Sequence, residues 1–202
     1  MSELMNGERG RRVLAKAVEA IRSSRPPEGM SARIVAVDGP GGAGKSSLSA
    51  WLASELNASI LHTDDFASWE NPTNWWPSLI KQALKPLASG EPARFTPSSW
   101  DGTPRPEVVI EPGEFVILEG VTASREAFRP YLAYSIWVET PRGLRLRRGL
   151  ERDGQSMREQ WATWMEGEDR YIERERPAAR ADLVLPGDQD LWRESMRESK
   201  PE

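Results

Sequence analysis

The stretch Gly39-Pro40-Gly41-Gly42-Ala43-Gly44-Lys45-Ser46 restricts this chain more than any other. It satisfies G-x-x-x-x-G-K-[ST] in full. Average composition would produce that pattern by chance in roughly one chain in a hundred of this length. The context is also the one the pattern needs. Residues 33–37, Arg-Ile-Val-Ala-Val, read as a short buried strand, and residues 46–56 read as a helix. Glycines let the backbone wrap a polyphosphate with its N–H groups turned inward. The helix that follows presents its positive end to the anion. Lys45 is the residue to reach the outer phosphates, and the Ser46 hydroxyl is the one to hold Mg²⁺. The nucleotide-binding set is therefore Gly39, Gly41, Gly42, Ala43, Gly44, Lys45, Ser46 and Ser47.

The same glycines also fit G-x-G-x-x-G, with Asp64 at about the distance of a ribose-binding acid. A dinucleotide loop has no use for a Lys-Ser pair, so the phosphate-loop reading is preferred.

The rest of the chain alternates helices and apolar strands. Residues 11–23 carry apolar side chains at helical spacing, and Pro26, Pro27 and Gly29 end that helix. Residues 59–62 read as a second strand, 114–119 and 135–138 as two more, and 182–186 as the last. Residues 142–152 and 156–176 read as polar helices. The middle, 69–106, is broken by seven prolines and only 79–87 looks helical. All-apolar strands between helices predict an α/β fold: a P-loop NTPase-type parallel sheet with helices on both faces. The expected organisation is one domain over 1–202. Residues 1–30 form an N-terminal helix and linker, and 188–202 a frayed tail.

In an open α/β sheet, ligands bind beyond the carboxyl ends of the strands. Three acids stand there. Asp64 and Asp65 follow the second strand, and Glu119 closes the run Phe115-Val116-Ile117-Leu118-Glu119. Glu119 suits Mg²⁺ or its water shell. Asp64 is the choice for a base that takes the proton of an attacking hydroxyl, and a third oxygen near the metal. If strand geometry runs on, Asp65 points the other way. Arg145, Arg148 and Arg152 share one helix face and give it a single sign of charge. That face suits a mobile lid over a transferring phosphoryl group.

Composition closes other routes. The chain has no cysteine and a single histidine, His62, so thiolate catalysis and multi-histidine metal sites are excluded. A triad through His62 is improbable without a second His or Cys. Net charge is -4, which gives no reason to expect nucleic acid or a membrane surface as partner. No apolar run approaches the ~20 residues of a membrane span. The reading is a cytoplasmic protein whose partner is a small-molecule acceptor; its oligomeric state is not legible, with a homodimer left open. Of nine tryptophans, Trp69, Trp75, Trp76 and Trp100 fall in the Pro-rich middle, where stacking on a planar ligand and core filling are equal readings. Trp161 and Trp164, at helical spacing, read as packing.

These landmarks, in this order, resemble the uridine kinase-like branch of P-loop kinases, which includes uridine–cytidine kinases and bacterial pantothenate kinase. The resemblance spans about residues 33–187. Its specific parts are Val37-Asp38-Gly39, His62-Thr63-Asp64-Asp65-Phe66, Leu118-Glu119-Gly120-Val121, Arg145-Leu146-x-Arg148-x-x-x-Arg152-Asp153 and Ala181-Asp182-Leu183-Val184-Leu185-Pro186. By that likeness Asp64 is the catalytic aspartate, Glu119 the acid near the metal, and Arg145, Arg148 and Arg152 the lid. Trp100-Asp101 resembles the family's Tyr-Asp pair at the acceptor, and Glu70 its ribose-binding acid. The chain departs where the family reads the base. Ala67 replaces a tyrosine, no histidine follows Trp100-Asp101, and Gly149 replaces a lid arginine; Arg105 is the nearest polar residue. The acceptor set is thus Asp65, Glu70, Trp100, Asp101 and Arg105.

The resulting expectation is an ATP- and Mg²⁺-dependent phosphotransferase acting on a hydroxyl of a nucleoside or similar metabolite. A nucleoside monophosphate kinase, with Arg94 or Arg105 as the added anion site, stays open. So does a nucleotide-binding regulator that phosphorylates nothing. No Asn-Lys-x-Asp motif speaks for GTP.

Overall fold

The computed structural model describes residues 2–68, 75–99 and 103–188. In chain order these residues form α1 (Ser2–Ser23), β1 (Arg33–Asp38), α2 (Lys45–Leu56) and β2 (Ser59–His62). A 3₁₀ turn, Thr63–Asp65, follows. Next come α3 (Trp76–Leu79), a π turn (Ile80–Leu84) and α4 (Lys85–Ala88). Then β3 (Ala93–Phe95), β4 (Val108–Ile110), β5 (Phe115–Glu119) and β6 (Leu132–Glu139) lead to α5 (Arg142–Asp153) and α6 (Arg158–Glu175). The chain closes with α7 (Pro177–Arg180) and β7 (Leu183–Pro186).

The sheet follows from β1. Ile34 and Ala36 face one side and Val35 and Val37 the other, and all four are fully buried. A strand with no polar face belongs in the middle of a sheet covered twice. Accordingly β1 lies at the centre of a parallel sheet ordered β2-β5-β1-β6-β7. α1 and α2 cover one face through Leu14, Ile21, Leu48 and Leu52, packed on Val35, Val37, Ile117 and Val138. The other face is covered by Leu79, Leu84 and Leu87 with Phe128, packed on Ile34, Ala36, Val116 and Leu118. β1 continues into α2 and β2 on one side, while β6 and β7 are added on the other. The strand order therefore reverses at β1, and the glycine loop leaves at that switch point.

Two expectations change. β3, inside the Pro-rich middle, pairs antiparallel with β4 just beyond it, with Arg94 opposite Val109. The two strands are three residues each, too short for alternation to be read. The predicted helix 79–87 runs instead from Trp76 to Ala88 with a π turn inside. Pro86 lacks the N–H for a normal helical bond, and its ring crowds the preceding turn, so the ladder widens just before it.

Candidate active site

The glycine loop is shaped by what lies under it. Gly39 has φ +154°, and a Cβ there would sit 2.7 Å from the Val138 carbonyl oxygen. Gly42 has φ +73°, and its Cβ would sit 2.6 Å from the Arg145 carbonyl oxygen. Both positions need glycine for conformation and for space. Lys45, 7% exposed, curls back so that Nζ donates to the Pro40 carbonyl at 3.1 Å.

The loop is anchored by Asp38, the last residue of β1 and fully buried. One carboxylate oxygen accepts the N–H of Gly39 at 2.7 Å and of Thr122 at 2.9 Å. The other accepts the N–H and hydroxyl of Ser124 and, at 2.6 Å, the hydroxyl of Tyr171. Burial pushes the Asp38 carboxyl above the usual range against these bonds. The same burial, then the Asp38 carboxylate, pushes the Tyr171 phenol up. One carboxylate thus ties together the glycine loop, the turn after β5, and α6.

Register explains Glu119. In β5 it stands opposite Val37 of β1 and His62 of β2. Its Oε1 accepts the Ser46 hydroxyl at 3.2 Å and its Oε2 is bonded to His62 Nδ1 at 2.7 Å. Burial would raise its pKa; the His62 bond and the nearby Lys45 ammonium outweigh that and bring it below the ordinary value. His62 is raised, chiefly by that same bond. The strand histidine thus orients the acid beside Ser46.

Asp64 and Asp65 do not continue β2. The chain turns at Thr63 into the 3₁₀ turn, and alternation of faces ends there. Thr63 is buried because Gly120 leaves room: a Cβ at Gly120 would lie within 1.8 Å of its hydroxyl. The sequence predicts that strand alternation turns Asp65 away; the 3₁₀ turn sets its direction instead. Asp64 stays solvent-accessible at a cavity wall. Neighbouring protein thins its hydration and raises its pKa; Lys45 opposes the shift and Glu119 adds to it. Asp65 is half-buried and raised for the same first cause, with His62 opposing. Arg105 is exposed, within electrostatic reach of Asp65.

The three arginines separate. Arg145 is 5% exposed, and its Nη1 donates at 3.0 Å to Glu168 of α6, itself 3% exposed. Arg148 Nη1 donates to the carbonyls of Gly187 at 2.9 Å and Gly42 at 3.3 Å. In this conformation both brace the glycine loop from behind rather than reach over it. Arg152 alone keeps an exposed side chain. It pairs with Asp153 at 2.7 Å, lies 5.8 Å from the Trp161 ring, and falls within electrostatic reach of Asp64. Gly149 has a local reason: a Cβ there would lie 2.3 Å from the Trp161 indole. The ring packs where an arginine would stand, and Trp161, Met165 and Leu150 form a small core between α5 and α6.

Glu168 is a second feature invisible in the motifs. Its Oε1 accepts the Gly41 N–H at 2.6 Å and the Trp164 indole N–H at 2.7 Å, while Oε2 takes Arg145. A carboxylate from α6 therefore rests on the phosphate loop. The available signal was spacing: Trp161, Trp164, Glu168 and Tyr171 fall at i, i+3, i+7 and i+10, one helix face.

Beside the loop lies a cavity of about 1190 Å³, walled by Asp64, Trp75, Trp76, Thr122, Arg125 and α6 residues including Trp164. Trp164 thus borders the cavity, which corrects its reading as packing alone. Thr122 has φ +67°, a left-handed conformation unusual for a β-branched residue, and its buried hydroxyl has no partner. Glu70, Trp100 and Asp101, like Trp69, lie outside the described residues.

No protein-family model and no curated protein sequence matches the chain. Solved structures do. A possible uridine kinase from Bacillus stearothermophilus aligns over 92% of this chain and 100% of its own, at 18% identity and a TM-score of 0.64. A sugar kinase from Janibacter sp. HTCC2649 aligns over 82% of this chain and 93% of its own, at 17% identity and a TM-score of 0.51. At such identities the likeness concerns architecture. With the parallel sheet and the glycine loop at its switch point, it shows that this chain has the α/β fold of the P-loop kinases.

Proposed function

We propose that the protein is a small-molecule kinase, moving the γ-phosphate of ATP to a hydroxyl of its acceptor. The observation that carries this reading is one shared edge. The phosphate loop, Glu119 beside Ser46, and Asp64 all stand at the carboxyl ends of the strands, and Asp64 walls a cavity wide enough for a metabolite. A motif that only bound nucleotide would have no need of a carboxylate facing a second pocket.

The donor set suits Mg²⁺. Ser46 and Glu119 offer hard oxygens in hydrogen-bond contact, with Asp64 electrostatically coupled to Glu119. Among the described residues no cluster of three His, Cys, Asp or Glu could cage a metal. Mg²⁺ prefers such sparse sites, taking one or two carboxylates and the rest from phosphates and water. Bound there it neutralises charge developing on the phosphates.

The chain's own residues do the rest. The acceptor hydroxyl attacks the γ-phosphorus, the bond to the β–γ bridging oxygen breaks, and ADP leaves. Asp64 takes the hydroxyl proton late in that step, and its raised pKa suits a base. Lys45, once released from Pro40, follows the outer phosphates, and Arg152 supplies the lid charge. Arg145 and Arg148 hold the loop's shape.

The test is an acceptor screen that follows ADP release, with Lys45→Ala as control. Acceptor-dependent release lost in the control supports the proposal. Nucleotide binding with no acceptor-dependent release across nucleosides, sugars and hydroxy acids would make the chain a nucleotide-binding regulator.

A further inference from the structure

Arg125 is held in an unusual way. It follows β5 by six residues and opens the 3₁₀ turn Glu126–Tyr131. Its guanidinium carbon lies 5.7 Å from the Trp75 ring, 5.3 Å from Trp76 and 5.7 Å from Phe128. Three aromatic rings therefore fix one cation at the cavity wall. No carboxylate forms a salt bridge with it among the described residues. The nearest acidic influence, Glu175, is engaged elsewhere: its carboxylate accepts the Glu126 N–H at 2.7 Å and meets Arg174 at 3.1 Å. Desolvation holds Arg125 below the ordinary guanidinium range; it remains charged at neutral pH.

A half-buried arginine held against three rings, with no counter-ion among the described residues, leaves its charge open to a ligand. Here the fold supplies aromatic faces, which fix the position, and no described residue fills the N–H fork. The fork matches a carboxylate or phosphate. The other charges at the wall do not cancel this. Glu168 is neutralised by Arg145 and Glu175 by Arg174. Glu126 and Glu159 are exposed at the rim, where solvent screens them. The same cavity wall that carries Arg125 and Asp64 includes Trp76 and Trp164, indoles that suit a flat or apolar body.

We infer that the acceptor is an anionic hydroxy compound with a planar or apolar middle, its carboxylate or phosphate held by Arg125 and its hydroxyl presented to Asp64. This rests on the kinase reading and narrows it to a substrate class. A neutral nucleoside or sugar would leave the Arg125 fork unfilled.

The experiment is calorimetry on the full chain, with saturating Mg-ADP so that the glycine loop is filled. The probes are 4-(hydroxymethyl)benzoate, its neutral amide 4-(hydroxymethyl)benzamide, and phenyl phosphate. A charge-assisted bond to the fork should make at least one anion bind about tenfold or more tighter than the amide. Whichever anion binds tighter identifies the group. Arg125→Gln should erase the preference, whereas Arg170→Gln, at the exposed side of the same cavity, should leave most of it. An amide that binds as well as both anions overturns the inference, even if Arg125→Gln proves too unstable to measure. A preference that survives Arg125→Gln overturns it as well, and so does a failure of both anions to bind. The two readings fail separately. Charge preference without phosphorylation of any acceptor removes the kinase assignment alone. Acceptor-dependent ADP release without charge preference removes this inference alone.

Discussion

Arg145→Ala should act on stability before it acts on turnover. Sequence alone places Arg145 beside Arg148 and Arg152 as one of three lid residues, and then all three substitutions should lower kcat and spare the fold. The structure puts its guanidinium against Glu168, with side-chain exposures of 6% and 2%. Removing one member of a buried ion pair leaves the other charge uncompensated, at about 3–5 kcal/mol. Glu168 retains the Gly41 and Trp164 N–H groups, so the lower end is the better figure. For a chain of this size that is a fall in Tm of roughly 6–12 °C. Arg152 is 70% exposed and paired with its chain neighbour Asp153; Arg152→Ala should cost no more than about 1 kcal/mol. Its effect should fall on kcat. The double variant Arg145→Met/Glu168→Leu removes both charges at similar volume and should recover most of the loss. Urea unfolding of the four proteins, with m-values compared, measures this. An Arg145→Ala variant within about 0.5 kcal/mol of the parent would refute the buried-pair argument. So would a double variant no better than the single one.

Lys45→Ala should weaken ATP binding about tenfold or more by calorimetry while Tm stays close to that of the parent, since its buried contact is one bond to Pro40. Asp64→Asn keeps the shape and loses the base, so single-turnover transfer should fall by roughly 10²–10⁴-fold with ATP affinity largely kept, and Asp65→Asn should cost far less; the reverse ranking would make Asp65 the base. Gly149→Ala drives a methyl into the Trp161 ring at 2.3 Å and should destabilise by about 1–3 kcal/mol. Gly143→Ala, on the same helix with nothing within 4 Å, should instead stabilise by about 0.5–1 kcal/mol; equal effects in thermal melts would show that α5 is not packed as described.

What could be read from sequence divides by how local the physics is. The glycine loop is contiguous, and its strand and helix neighbours carry their own periodicity. The strand, the loop and the helix over 33–56 therefore form where that stretch predicts them. Glu119 was legible too, because an all-apolar strand announces where it ends. The bracing of the loop was not. The Gly41 N–H finds Glu168 across 127 residues, and Asp38 finds Tyr171 across 133. Each partner is one polar residue on a helix already rich in them, and nothing in its neighbours marks it as buried. The arginine helix misled for the same reason: a shared face predicts a shared direction, not a shared neighbour. Arg145 meets a carboxylate, Arg148 two carbonyls, and Arg152 an indole. Arg125 has no mark in the sequence, because a lone arginine after a strand carries no pattern; the three rings gathered around it show that its position is fixed. The nucleotide half of such a site is set by backbone conformation, which short motifs encode. The proposed acceptor half is a cavity walled by side chains from α3, the turn after β5 and α6, which meet only when the chain folds. That half is where a chain can keep its chemistry and change its substrate.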